Sequence, residues 1–246
     1  LSAIIEGNGG QAYHYPVMVI EALDTKVDQH YVEQCKRRIG HLDQFQKVIF
    51  ISTNAVHFGM KLIRQHWPQL PVGINWYGIG EKTIKALTDA GVFVINNQGN
   101  SQWEDGEKNS INASGMNSEE LLEHESLQQI EQQNILIVRG IGGRELLQQQ
   151  LSSRGARVKY LECYRRSLPN NPVGDIVKVI ELNNINYISV SSGESVQNLC
   201  DLIGVKLFSK ITMPALLVPG KRVAKIAEQC GFENIIIAKN ASDEAM

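Results

Sequence analysis

The sequence predicts an α/β chain whose parallel sheets are covered by helices and which divides into two domains. Short β-branched runs alternate with amphipathic helical stretches along most of its length, and that alternation gives parallel strands with helices on both faces. Segments also recur in chain order: Val48-Ile-Phe-Ile-Ser-Thr-Asn54 is matched by Tyr187-Ile-Ser-Val-Ser-Ser-Gly193. Lys85-Ala-Leu-Thr-Asp-Ala-Gly91 is matched by Lys225-Ile-Ala-Glu-Gln-Cys-Gly231, and Gly10-Gln-Ala-Tyr-His-Tyr15 by Gly155-Ala-Arg-Val-Lys-Tyr160. Finally, the chain is 43% hydrophobic and 20% charged, with its apolar residues in strand-length pieces. None approaches the roughly 18 consecutive apolar residues of a membrane span.

The elements follow in order. The match of Gly10–Tyr15 with Gly155–Tyr160 places a helix at the start. In the later copy that helix is preceded by the strand and glycine loop Ile135-Leu-Ile-Val-Arg-Gly-Ile-Gly-Gly143. The earlier copy therefore calls for an amino-terminal strand before Leu1, which this sequence lacks. Residues 16–27 read as an extended crossing. Strands are expected at 48–51, 75–77, 92–95, 135–138 and 157–160, with helices at 55–66, 81–90, 118–132 and 144–153 between them. Gly91 closes the 81–90 helix, where a left-handed residue is wanted. The Asn-, Gly- and Ser-rich stretch 97–117 reads as an inserted loop, and its Asn112-Ala-Ser114 is a chance glycosylation sequon. Residues 160–170 form a second extended crossing. Strands at 187–190, 215–218 and 234–238 alternate with helices at 194–203 and 222–230, the last closed by Gly231.

The matches imply interleaving. Residues 28–159 hold a full set of five strand signals and close as a contiguous domain. Residues 1–15 and 171–246 combine into a discontinuous domain lacking its amino-terminal strand. The crossings 16–27 and 160–170 are expected to pair as a two-stranded antiparallel ladder that acts as a hinge. Ligands of such proteins favour clefts between domains.

Composition narrows the function. The net charge of −2 argues against a nucleic-acid binder, which carries a basic surplus. Cys35, Cys163, Cys200 and Cys230 have no CxxC spacing and read as thiols in a reducing compartment. The six histidines form no metal-ligand pattern, so no metal site is expected. With no signal-peptide pattern at Leu1, the cytoplasm is the expected location.

Three loops stand out as anion sites. Ser52-Thr53-Asn54 and Ser191-Ser192-Gly193 each follow a strand and open a helix, where free N–H groups and the helix dipole meet an anion. The same residues are also preferred helix caps. Arg139-Gly-Ile-Gly-Gly-Arg144 joins a strand to a helix, its glycines permitting close backbone approach and Arg139 and Arg144 offering guanidinium forks for carboxylate or phosphate. Gly140 lies within it. No GxGxxG or GK[ST] pattern is present, so a nucleotide site is weakly supported. Gly78-Ile-Gly80 makes a strand-to-helix turn, with Thr83 one turn into the helix. Tyr164, in the second crossing, is a packing residue or, facing a ligand, a donor to a leaving group. These residues point to an interdomain site for an anionic small molecule, and a two-domain hinge-type binding protein for such a ligand is the competing reading.

As an ordered set, these motifs resemble the uroporphyrinogen-III synthases of the bacterial type. Ile135-Leu-Ile-Val-Arg-Gly-Ile-Gly-Gly-Arg-Glu-Leu-Leu147 and Arg154-Gly-Ala-Arg-Val-Lys-Tyr-Leu-Glu-Cys-Tyr-Arg-Arg166 carry the likeness. Phe50-Ile-Ser-Thr-Asn-Ala-Val56, Gly78-Ile-Gly-Glu-Lys-Thr83, Asn117-Ser-Glu-Glu-Leu-Leu122 and Ala241-Ser-Asp-Glu-Ala-Met246 support it. The resemblance implies two flavodoxin-like domains on a hinge ladder, and a monomer that takes hydroxymethylbilane as its substrate and needs no cofactor. It implies loss of water, inversion of ring D and closure to uroporphyrinogen III through an azafulvene cation and a spirocyclic pyrrolenine. By position, Tyr164 falls on the family's hinge tyrosine, the candidate for assisting the leaving hydroxyl, and Thr83 on a threonine of the contiguous domain. Ser191 and Ser192 fall in a carboxylate-binding loop, and Ser52 to Asn54 in its counterpart. The chain departs from many members at Gly220-Lys221-Arg222, where they carry a Thr-Thr pair, at the amino-terminal strand, and at the 97–117 insertion.

Overall fold

The computed structural model describes residues 1–95, 117–169, 175–204, 214–240 and 242–246. Its elements are α1 (Ser2–Gly7), β1 (Val19–Ala22), α2 (Gln29–Gly40), β2 (Lys47–Phe50), α3 (Thr53–His66), β3 (Asn75–Gly78), α4 (Glu81–Asp89) and α5 (Ser118–Glu123). There follow β4 (Asn134–Gly140), α6 (Leu146–Ser153), β5 (Arg157–Ser167), α7 (Asp175–Leu182), β6 (Tyr187–Ser189), α8 (Gly193–Ile203), β7 (Ala215–Val218), α9 (Lys221–Gln229) and β8 (Ile235–Ile237). The chain falls into two compact units: a contiguous one, Ile20–Arg166, and a split one of Leu1–Val19 with Ser167–Met246.

The contiguous unit is built on a five-stranded sheet of order β1-β5-β4-β2-β3. β2 runs parallel to β3 and β4, and β4 parallel to β5. Every residue of the interior strand β2 is buried, and the two-residue period of a strand sorts them to opposite faces. Val48 and Phe50 join Leu136, Val138 and Trp76 beneath α2, α3 and α4. Ile49 joins Ile135, Ile137 and Tyr77 beneath α5 and α6. Helix α3 fits closely because Gly59 lacks a side chain; a Cβ there would lie 2.6 Å from Val138 Cγ1.

In the split unit, β6-β7-β8 form a three-stranded parallel sheet among the described residues. One face, through Ile188, Leu216 and Ile235, meets α7, α8 and α9 in a single apolar cluster. The opposite face carries Tyr187, 67% exposed, and Ile236, 41% exposed. Both units end a helix alike: Gly91 (φ 72°) and Gly231 (φ 95°) take the left-handed conformation expected of them. The next N–H then reaches back, Val92 to the Leu87 carbonyl at 3.0 Å and Phe232 to the Ala227 carbonyl at 3.1 Å.

Several expected elements differ. The helix expected at 118–132 stops at Glu123, because His124 is extended (ψ 132°) and its Nδ1 accepts from the Ser126 N–H at 3.1 Å, opening a short 3-10 turn instead. The strand expected at 92–95 is reduced to one parallel bridge between Val94 and Trp76. The strand at 157–160 runs on without a break into the second crossing as one strand, β5, which ends at Ser167. Helices α2 and α7 were not expected; the Cys35–Ile39 pair, both buried, is the i, i+4 signal that α2 offered. Apart from Asn117, which caps α5 in a reciprocal box with Glu120, the 97–117 insertion and its Asn112 lie outside the described residues.

Candidate functional site

Because β2, β3 and β4 are parallel, the loops that leave them open at one edge of the sheet, the carboxyl edge where α/β proteins take ligands. Ser52 to Asn54, Gly78 to Thr83 and Arg139 to Arg144 all leave from that edge. Tyr164 joins them through β5, where it stands opposite Gly140. The ladder shifts register between Arg139 and Gly140: Arg139 faces Glu162, so Cys163 is passed over and Tyr164 is drawn up against Gly140. The glycine is required there, since a Cβ would lie 2.5 Å from Tyr164 Cε2. On α3, Phe58 stacks on the Tyr164 ring at 5.4 Å, and Tyr164 is 1% exposed.

The tyrosine hydroxyl sits 3.2 Å from Ser52 Oγ. Ser52 is the N-cap of α3, and its Oγ also accepts from the Ala55 N–H at 3.1 Å. Thr53, exposed, and Asn54, half-buried, form the first turn of α3. Thr83 is buried in the first turn of α4, its N–H donating to the Gly80 carbonyl at 3.0 Å.

The two arginines of the glycine loop differ in environment. Arg139 is 3% exposed and curls beneath its own loop. Its Nε donates to the Gly140 carbonyl and its Nη1 to the Arg144 carbonyl, both at 3.2 Å. Its guanidinium lies 4.5 Å from the centre of the Tyr160 ring. Gly143 (φ 100°) accommodates it, because a Cβ there would lie 2.6 Å from Arg139 Nη2. Across the loop, Glu162 Oε1 accepts from the Gly142 N–H at 3.4 Å. Arg144 is exposed.

In the split unit, Ser192 caps α8, its Oγ accepting from the Ser195 N–H at 3.1 Å and meeting Ser195 Oγ at 2.9 Å. Ser191 is exposed and Gly193 half-buried. Gly193 lets α9 come close, since a Cβ there would lie 2.5 Å from Ile226 Cδ1.

Taken over its whole length, residues 1–246, the sequence matches the family model described as uroporphyrinogen-III synthase HemD. The chain belongs to the uroporphyrinogen-III synthase family. It is 28% identical to the uroporphyrinogen-III synthase of Escherichia coli strain K12 over 243 residues, 97% of this chain and 89% of the relative. To that of Salmonella typhimurium it is 29% identical over 210 residues, 85% of this chain and 80% of the relative. The fold is similar to a mutant uroporphyrinogen III synthase of Thermus thermophilus, with a TM-score of 0.57 at 16% identity over 95% of this chain and 86% of that one. It is also similar to the Helicobacter pylori enzyme, with a TM-score of 0.52 at 16% identity over 93% and 86%. Uroporphyrinogen-III synthase activity, that of a cyclising lyase in porphyrin biosynthesis, is the function of this chain, and a small-molecule tetrapyrrole is its substrate. The binding-protein alternative is not favoured.

Burial sets the protonation of the thiols and the phenol close to this edge. Burial pushes the Cys35 thiol up to about 12 and the Cys163 thiol up as well, which keeps both protonated and inert as nucleophiles. Burial also raises the Tyr160 phenol, with Arg139 opposing it. Among the described residues no group of His, Cys, Asp and Glu is arranged to hold a metal ion, and no helix is long and apolar enough to cross a membrane. Sequence reasoning missed Phe58, Tyr160 and Glu162. Phe58 had no local signal, whereas Tyr160 and Glu162 share one face of the same strand at a two-residue spacing.

Proposed function

We propose that the chain converts hydroxymethylbilane to uroporphyrinogen III at the carboxyl edge of the five-stranded sheet, with Tyr164 as the source of the proton that lets the terminal hydroxyl leave as water. The observation that supports this is the pairing of the Tyr164 hydroxyl with Ser52 Oγ at 3.2 Å, on a ring immobilised between Phe58 and Gly140. A donor fixed in this way needs no reorganisation when charge develops on the departing oxygen. The reaction is redox-neutral: one C–O and one C–H bond are lost as water leaves, and inversion of ring D breaks one C–C bond while two form. Most of the remaining work is to fold a flexible tetrapyrrole so that ring D meets ring A.

The substrate's carboxylates supply the handles. Ser52 to Asn54, with the free N–H groups of α3, take one; Thr83 offers a hydroxyl at the neighbouring loop. Arg144 and the backbone about Gly140 take another, on a loop whose shape Arg139 maintains from beneath. Ser191, Ser192 and Gly193 hold a further carboxylate on the second domain. In this reading 1–15 with 171–246 and 28–159 are two flavodoxin-like domains, 16–27 and 160–170 are the paired hinge crossings, and the protein acts as a cytoplasmic monomer.

The test supplies hydroxymethylbilane to the purified protein and separates the products by isomer. Type III is expected, with Tyr164→Phe lowering kcat by about 100-fold and leaving product affinity nearly unchanged. Type I alone, formed at the uncatalysed rate, overturns the reading; equal losses in turnover and affinity would make Tyr164 a positioning group.

A further inference from the structure

The hydrogen bond between Ser52 and Tyr164 has a direction, and the surroundings determine it. Tyr164 is 1% exposed, so its hydroxyl proton must find an acceptor inside the protein; a buried donor left unmet is strongly disfavoured. The acceptor the described residues provide is Ser52 Oγ. That oxygen has two lone pairs and one proton. One lone pair already accepts from the Ala55 N–H, and the other is open to Tyr164. With the bond reversed, Ser52 would donate inward and the phenol proton would be stranded in the apolar cluster formed with Phe50, Val138 and Cys163. The assignment that satisfies every group leaves the proton of half-buried Ser52 pointing away from both partners.

We infer that Ser52, not Tyr164, is the catalytic residue that touches the departing hydroxyl, and that Tyr164 acts through it as the second member of a two-proton relay. The inference rests on the reading that the hydroxyl leaves at this edge. As the pyrrole nitrogen's electron pair moves toward the ring substituent, the C–O bond breaks and its electrons depart with oxygen. That oxygen takes the Ser52 proton and leaves as water, while Ser52 takes the proton of Tyr164. The phenolate is sheltered by Ser52, now donating inward, and by the Arg166 guanidinium 5.9 Å from the ring centre. Inversion of ring D then forms one C–C bond, breaks the bond that joined ring D to its bridge and forms a second, after which the ring carbon at the closing end loses its proton, which returns through Ser52 to Tyr164. Atoms and charge balance over the cycle, with water the other product.

The experiment compares Ser52→Ala, Ser52→Thr, Tyr164→Phe and the Ala/Phe double variant on hydroxymethylbilane, with a proton inventory of the wild-type protein in mixed H2O and D2O. In a relay, Ser52→Ala and Tyr164→Phe each lower kcat by about 100-fold with KM changed less than about two-fold, and the double variant is no slower than the slower single one. Ser52→Thr, which keeps the hydroxyl and the cap, recovers about ten-fold over Ser52→Ala, and the inventory is bowed, as two moving protons require. Near-normal turnover in Ser52→Ala, multiplying losses in the double variant, or a linear inventory each overturn the relay. If Ser52→Ala does not fold, a Ser52→Thr turnover within about ten-fold of wild type and the bowed inventory still decide. Failure of the underlying reading looks different: both single variants would make type III at the wild-type rate, placing the departure of the hydroxyl elsewhere, whereas a slow Tyr164→Phe beside a fast Ser52→Ala removes the relay alone.

Discussion

Ser52 and Ser192 begin their helices in nearly the same way and end up with different surroundings. Both are extended, at φ −165° and ψ 164° against φ −154° and ψ 158°, and both Oγ atoms accept from the N–H three residues on at 3.1 Å. The second partner of Ser192 is Ser195, on its own helix. That of Ser52 is Tyr164, 112 residues away. Repeated strand–loop–helix grammar therefore reproduces the cap in each unit, but only in the contiguous unit does the capping hydroxyl also meet a tyrosine hydroxyl from a distant strand. The sheets differ in the same sense. β2 is sealed on both faces by two apolar clusters, while the β6-β7-β8 sheet seals one and leaves Tyr187 and Ile236 exposed on the other.

The largest effect should come from that difference in burial. Ile49→Ala, at a position with 0% exposure, is expected to cost about 2–5 kcal/mol. The equivalent truncation at Ile236, 41% exposed, should cost under about 1 kcal/mol. Urea unfolding of the two variants measures this, and equal losses would mean that the exposed face is covered in solution. Next in size is a pair of glycines. A Cβ at Gly140 meets Tyr164 Cε2 and one at Gly193 meets Ile226 Cδ1, each at 2.5 Å. The Tyr164 ring is held by Phe58 and has nowhere to go, whereas the end of an isoleucine can rotate. Gly140→Ala should therefore cost about 1–3 kcal/mol and slow turnover, with Gly193→Ala below that range. Thermal unfolding and kcat together test the pair; a fully active Gly140→Ala would mean that ring placement is unimportant. The smallest effect is common to both regions. Ser192→Ala and Ser52→Ala should each lose about 1 kcal/mol of stability through the lost cap, and only Ser52→Ala should also lose kcat. A large fall in kcat for Ser192→Ala would erase the distinction.

Much of this was legible beforehand, and the reason is locality. Strands such as β2 and β4 declare themselves by apolar runs of strand length, and Gly91 and Gly231 end their helices because a left-handed residue is needed and glycine adopts it at least cost. Ser52 and Ser192 announce caps. The candidate site was legible as a set of loops but not as a constellation. Arg139 and Arg144 look equivalent in sequence, yet one is folded beneath the loop and the other is exposed. Phe58 gave no sign of its contact with Tyr164.

By itself, then, the sequence determined the alternation of strands and helices, the positions of the caps, the family and with it the activity. These depend on a residue and its near neighbours, or on an ordered set of motifs, and need no knowledge of the register between strands. Tertiary structure alone decided that Tyr164, and not Cys163, stands opposite Gly140, that its hydroxyl meets Ser52, and that Arg139 supports a loop from inside. Those outcomes turn on a one-residue slip in a ladder between distant segments and on which groups are removed from water together. Only the packed chain fixes either of them.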